Sequence, residues 1–113
     1  MKSKILALSK NEEFKKLLSQ NKKHKKYVTI FFGQLDGKNQ KRFNISFVTK
    51  KKIGNAVKRN KIKRRLRNIT NEALKKLSLK FNYSYLVIAK PTMLNNEYIN
   101  IKETLFRDLE RIR

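Results

Sequence analysis

Between residues 37 and 71 the chain carries thirteen Lys and Arg and no Asp or Glu. Cations at this density cannot be folded inward. They must lie on a surface, and their repulsion must be met by an anion from outside the segment. The rest of the molecule does not supply that anion, because 113 residues hold 30 Lys and Arg against 8 Asp and Glu, a net +22. The expected partner is therefore a polyanion, and nucleic acid is the first candidate. The same imbalance argues against an enzyme working alone on a small neutral substrate.

Composition removes other classes. There is no Cys, hence no disulfide framework, thiolate zinc cluster or thiol nucleophile. One His, His24, cannot build a His-rich metal site, and among flanking lysines it reads as a surface residue. No apolar run nears the roughly 18–20 residues of a membrane span. The apolar residues 5–8 are too few for a signal-peptide core, so a cytoplasmic protein with no membrane partner is expected. With 39% apolar residues in periodic blocks, one Pro and three Gly, the chain should fold rather than stay disordered. Its length suits one domain, residues 1–113.

The periodic blocks order the elements. Ser9 and Glu12 make a capping box, and Phe14, Leu17 and Leu18 follow at helical spacing, which predicts a helix over 9–20. Residues 27–32 are β-branched or aromatic and read as a strand. Asp36-Gly37 is a turn signal, and 42–49 returns as a second strand. In the first strand Val28, Ile30 and Phe32 share one face, and Tyr27 and Phe31 the other. In the second, Phe43, Ile45 and Phe47 should be buried, with Asn44 and Ser46 wet or ligand-facing. Gly54-Asn55 opens a long helix over 56–79, with Asn55 as N-cap and Ile62, Leu66, Ile69, Ala73 and Leu77 as the buried stripe. Residues 83–89 form a third strand of central character, and a last helix over 96–112 buries Ile101, Leu105, Leu109 and Ile112. This order predicts one sheet with helices on one side. Glu12 and Glu13, adjacent at a helix start, suit its dipole rather than acid–base chemistry. No catalytic or metal-ligating set is apparent.

The long helix carries the functional signal. Arg59, Lys63 and Arg67 repeat every four residues, as do Asn60 and Arg64, so the cations stack in rows able to follow a phosphate backbone. Asn60 is neutral among them and could read a base edge, hold a phosphate oxygen or orient an Arg.

The run Lys51-Lys52-Ile53-Gly54-Asn55-Ala56-Val57-Lys58-Arg59-Asn60-Lys61-Ile62-Lys63-Arg64-Arg65-Leu66-Arg67 resembles the signature helix of the bacterial ribonuclease P protein family. That pattern is a basic pair, Gly-x-Ala-Val, Arg-Asn-Arg, then Lys-Arg and a further Arg. Leu8 to Phe14 resembles the family's first helix, and Tyr85 to Ala89 its penultimate element. The resemblance implies an α+β fold of the ribosomal protein S5 domain 2 type, α-β-β-β-α-β-α. Its small, mostly antiparallel sheet has helices packed on it and a left-handed β-α-β crossover, with an extra short strand near residues 22–26. It further implies an accessory subunit of a tRNA-processing endoribonuclease whose catalytic centre lies in an RNA subunit. Any Mg2+ would be held through RNA, with no cofactor bound by the protein alone. The partners implied are the RNA subunit and precursor tRNA, and no protein partner is required.

By the same resemblance, Lys51, Lys52, Arg59, Asn60, Lys61, Lys63, Arg64 and Arg67 would bind RNA. A cleft between the first helix and the sheet would take the 5′ leader of precursor tRNA through Phe14, Leu18 and Ile30 or Phe32. Lys61 stands where the pattern has its last Arg, and Leu18 where it has a second aromatic. The alternative reading is a structural RNA-binding protein of the ribosomal type, which shares size and charge but not the seventeen-residue run.

Overall fold

A computed structural model describes residues 5–8, 11–35, 42–77, 79 and 83–112. Its sheet is built around β5 (Ser84–Ala89), the most apolar strand, which pairs on both sides. One neighbour is β3 (Val28–Gly33), antiparallel; the other is β4 (Phe43–Val48), parallel. Beyond β3 lies β2 (Asn21–His24), antiparallel, and beyond β4 lies β1 (Ile5–Leu6), parallel. The order across the sheet is β1-β4-β5-β3-β2. The antiparallel ladders are together the longer.

Three helices complete the fold: α1 (Asn11–Leu18), α2 (Ala56–Lys76) and α3 (Tyr98–Glu110). Two 3₁₀ turns, Lys51–Ile53 and Pro91–Asn95, introduce α2 and α3. The connection from β4 through α2 to β5 joins parallel neighbours, as the crossover reading required.

Both faces of the sheet are covered, which corrects the expectation of helices on one side. On one face α2 and α3 pack against Val28, Ile30, Phe32, Phe43, Ile45, Tyr85 and Val87. On the other, Leu8, after β1, and Leu17 of α1 meet Phe31 and Leu86, with Phe14, Val48 and Ile88 at the margin. The apolar residues on both sides of β3 are therefore both core. Tyr27, just outside the strand, turns into the larger core rather than joining Phe31.

Other expectations shift in detail. Asn44 and Ser46 are buried, not wet, and Ser46 Oγ accepts the Leu8 N–H at 2.8 Å. β1 came from a segment too short to read as an element; its backbone is satisfied by the free edge of β4. β2 falls close to the implied extra strand and has only exposed side chains. Lysines on such an edge strand oppose further pairing while the backbone completes the ladder. The helix α2 ends at Lys76, three residues early, where Leu77 turns to extended backbone. Ser9 and the Asp36-Gly37 turn lie outside the described residues. Met93, in the second 3₁₀ turn, is a fully buried core residue that no periodicity announced.

Candidate nucleic-acid interface

The start of α2 is set by two residues. Gly54 adopts φ +155°, a conformation that side-chain-bearing residues rarely reach, and a Cβ there would press on the Lys58 side chain at 3.0 Å. Asn55 then caps the helix, its Oδ1 accepting the Lys58 N–H at 3.0 Å. Neither residue needs to touch a ligand to matter: Gly54 sets the direction of the cationic helix and Asn55 caps its first turn.

The buried stripe of α2 is Ile62, Leu66, Ile69, Thr70 and Ala73. At about 100° per residue, it divides the cations into three sets. Arg59, Lys63 and Arg67 run along one flank. Lys58, Lys61 and Arg65 run along the opposite flank. Asn60 and Arg64 occupy the outward crest and are exposed. Lys63 is half-buried at the groove beside the sheet, in the row it shares with Arg59 and Arg67. Arg59 is also half-buried, and its Nε is enclosed with no hydrogen-bond partner among the described residues. Lys51 and Lys52 are exposed in the 3₁₀ turn leading to the helix.

The first flank overlooks a groove of about 240 Å³ lined by Ala7, Phe14, Ile45, Ser46, Phe47, Val48, Lys63 and Arg67. Among the described residues β1 covers β4 only at Phe43 and Asn44, and the strand from Ile45 to Val48 lines this groove. One wall is α1, contributing the half-buried Phe14; the other is α2, contributing the cations. The floor continues across the sheet by register. Val48 pairs Ile88, Ile88 pairs Thr29, and Thr29 pairs His24, placing all four on the α1 face. Thr29 Oγ1 lies 3.2 Å from His24 Nδ1 at the far end of that row.

The geometry brings Phe14, read as a leader-cleft residue, together with Lys63 and Arg67, read as RNA-binding residues. Leu18, one turn beyond Phe14 on α1, is half exposed. Ile30 and Phe32 must be removed from the cleft. They are 0% and 3% exposed, packed beneath α2 and α3 on the other side of the sheet. With a two-residue side-chain period, the strand shows the cleft its odd-numbered residues, Thr29 and Phe31. Val48 and Ile88 were missed as site residues, whereas Ser46 lies on the β4 face read as wet or ligand-facing. The available signal was the β4 alternation, whose second face holds Asn44, Ser46 and Val48.

Comparison with known proteins points one way. The family model described as Ribonuclease P matches residues 3–113. A Mesoplasma florum ribonuclease P protein component is 35% identical over 98 residues, covering 87% of this chain and 86% of the relative. Its Carboxydothermus hydrogenoformans counterpart is 36% identical over 107 residues, covering 91% and 87%. The solved RNase P protein from Thermotoga maritima shares the fold with a TM-score of 0.78 at 22% identity, over 96% of this chain and 98% of that one. Signature helix, mixed sheet and full-length match together place this chain in the ribonuclease P protein family.

Proposed function

We propose that this chain is the protein subunit of ribonuclease P, assisting removal of the 5′ leader from precursor tRNA in the cytoplasm. The observation that carries the reading is the convergence of Phe14, Lys63 and Arg67 on one groove lined by β4. A single-stranded leader needs a platform for a base and cations for its phosphates. Here the ring of Phe14 supplies the first, worth about 1–3 kcal/mol per stacked base, and Lys63 and Arg67 supply the second. The RNA subunit sits on the crest and entrance of α2, at Asn60, Arg64, Lys51 and Lys52, with Lys61 beside them. Arg59, whose enclosed Nε has no hydrogen-bond partner among the described residues, faces the RNA subunit with them. Phosphate contact by Arg is bidentate and directional, whereas Lys contributes a mobile point charge.

Bond cleavage belongs to the RNA. Among the described residues no three His, Cys, Asp or Glu side chains gather into a metal-binding set. In this reading magnesium is held by RNA phosphates, and the protein's share is positioning and charge neutralisation. This role calls for no further protein and no membrane.

The test is a reconstituted holoenzyme with two variants. Phe14→Ala should spare assembly with the RNA subunit and lower the preference for precursor over mature tRNA by about five- to hundredfold. Arg59→Ala with Arg64→Ala should weaken assembly instead. Wild-type affinity should fall when the leader is cut to one nucleotide. If both variants affected both measurements equally, or leader length made no difference, the two-surface reading would be wrong.

A further inference from the structure

The leader groove leaves one flank of α2 unused. Lys58, Lys61 and Arg65 stand on the side of the buried stripe away from Lys63 and Arg67. They line a second groove of about 240 Å³ with Ile62, Met93 and Leu94. The 3₁₀ turn Pro91–Asn95 is its far wall. Its floor is core, since Ile62 and Met93 are 2% and 1% exposed, and its lip is Leu94, an exposed apolar side chain at 37%.

Three cations would attract any phosphate. An apolar floor and lip between them ask for something flat and weakly polar attached to that phosphate. No lining residue is acidic, and none is aromatic, so the occupant is held by burial and charge rather than by ring stacking. An unstacked nucleotide meets these terms, with its base against Ile62, Met93 and Leu94 and its phosphates on Lys58, Lys61 and Arg65.

We propose that this groove receives a nucleotide extruded from the catalytic RNA subunit, so that α2 is held on both flanks, by substrate on one and by the RNA subunit on the other. The assignment rests on the function proposed above. The RNA subunit is chosen over the leader by continuity. Asn60, Arg64 and Lys61 form one basic surface running from the crest into the second flank, whereas the leader groove lies across the buried stripe. A single strand seated on Phe14 would have to pass around the helix to reach Leu94.

The experiment probes the 2′-hydroxyl reactivity of the ribonuclease P RNA in the holoenzyme, alongside binding and processing. Leu94→Ser should weaken RNA-subunit binding by about five- to tenfold. It should also restore reactivity at one or two RNA-subunit nucleotides that the wild-type protein protects. Lys58→Ala with Arg65→Ala should expose the same nucleotides. Neither variant should change the preference for precursor over mature tRNA, and Phe14→Ala should leave those nucleotides protected. Leu94→Gln, closer in length, repeats the test if the Ser variant melts at lower temperature. Three results would overturn the proposal: wild-type affinity and protection in both Leu94 variants, altered reactivity in precursor tRNA alone, or loss of binding only when the cations are removed. Failure of the wild-type protein to bind the RNA subunit would instead overturn the function itself, and is read without any variant.

Discussion

Ile30 and Phe14 show how much a single residue's position changes its meaning. Both are apolar, and both were candidates for the cleft, but Ile30 is fully enclosed by the larger core and Phe14 lies half-open at the groove. Truncating a core aliphatic removes its transfer energy and leaves a cavity, so Ile30→Ala should cost about 2–5 kcal/mol of stability. Phe14→Ala should cost less and act mainly on leader discrimination. Chemical denaturation of both variants separates these roles. Asp108 on α3 is a different case, a buried carboxylate whose Oδ2 has no hydrogen-bond partner among the described residues. Burial raises its carboxyl above the ordinary value, against the lowering pull of Lys25, Arg107 and Arg111. Over the interval between the two values the native state keeps a proton that the unfolded chain has released. Stability therefore falls as pH climbs through that interval, and stays reduced at neutral pH. Asp108→Asn should melt higher than wild type at neutral pH, and the gap should close as pH drops below the ordinary carboxylate range. A melting series across pH reads this directly. The helical stripe of α3 made Leu105 and Leu109 legible, but nothing in the sequence marked Asp108 as enclosed, because that depends on how α3 meets the β2–β3 turn.

At the level of elements, the parts with strong periodicity were legible and those held by a neighbour's backbone were not. The apolar run of β5 and the stripes of α2 and α3 predict their own burial, and the alternation in β4 marks Phe43 and Ile45 as core but not Asn44 and Ser46. β1 and β2 do not, since two apolar residues or the sequence Asn-Lys-Lys-His say little alone. Each is a strand because an unpaired edge lies beside it. The candidate site divides in the same way. Its helical half followed from four-residue spacing, whereas its sheet half needed the strand register that turns Thr29, and not Ile30, toward α1. The boundary of α2 combines both kinds of information, and it can be tested there. Asn55→Ala removes the cap to the Lys58 N–H and should cost about 1 kcal/mol. Gly54→Ala meets a forbidden φ as well as the Lys58 side chain, so it should cost more. If the glycine serves to aim the helix, Gly54→Ala should also weaken RNA-subunit binding at concentrations where the protein remains folded. Asn55→Ala, which leaves the helix direction intact, should not. Circular dichroism melts and filter binding on the two proteins distinguish aim from stability.

For the whole molecule, a net charge of +22 acts in opposite directions on folding and on binding. The free protein holds its cations on a surface where few acids answer them. Glu72 is one exception, 2.7 Å from Lys102 across α2 and α3. Screening the remaining repulsion should favour the compact state, so the melting temperature of the free protein should rise with added salt, and more steeply with sulfate or phosphate, which are also excluded from apolar surface. RNA binding must respond the other way, because each neutralised phosphate releases counterions and salt weakens that gain. A plot of log affinity against log salt should have a slope of about −0.7 to −0.9 per phosphate contact. Arg59→Ala with Arg64→Ala should flatten it by about 1.4 to 1.8 if each side chain holds one phosphate. The Leu94→Ser variant should lower affinity at every salt concentration and leave the slope unchanged, because an apolar contact releases no ions. Parallel lines for Leu94 and converging lines for the arginine pair would show that α2 binds RNA by two separable physical means, charge along its crest and apolar burial at its second flank.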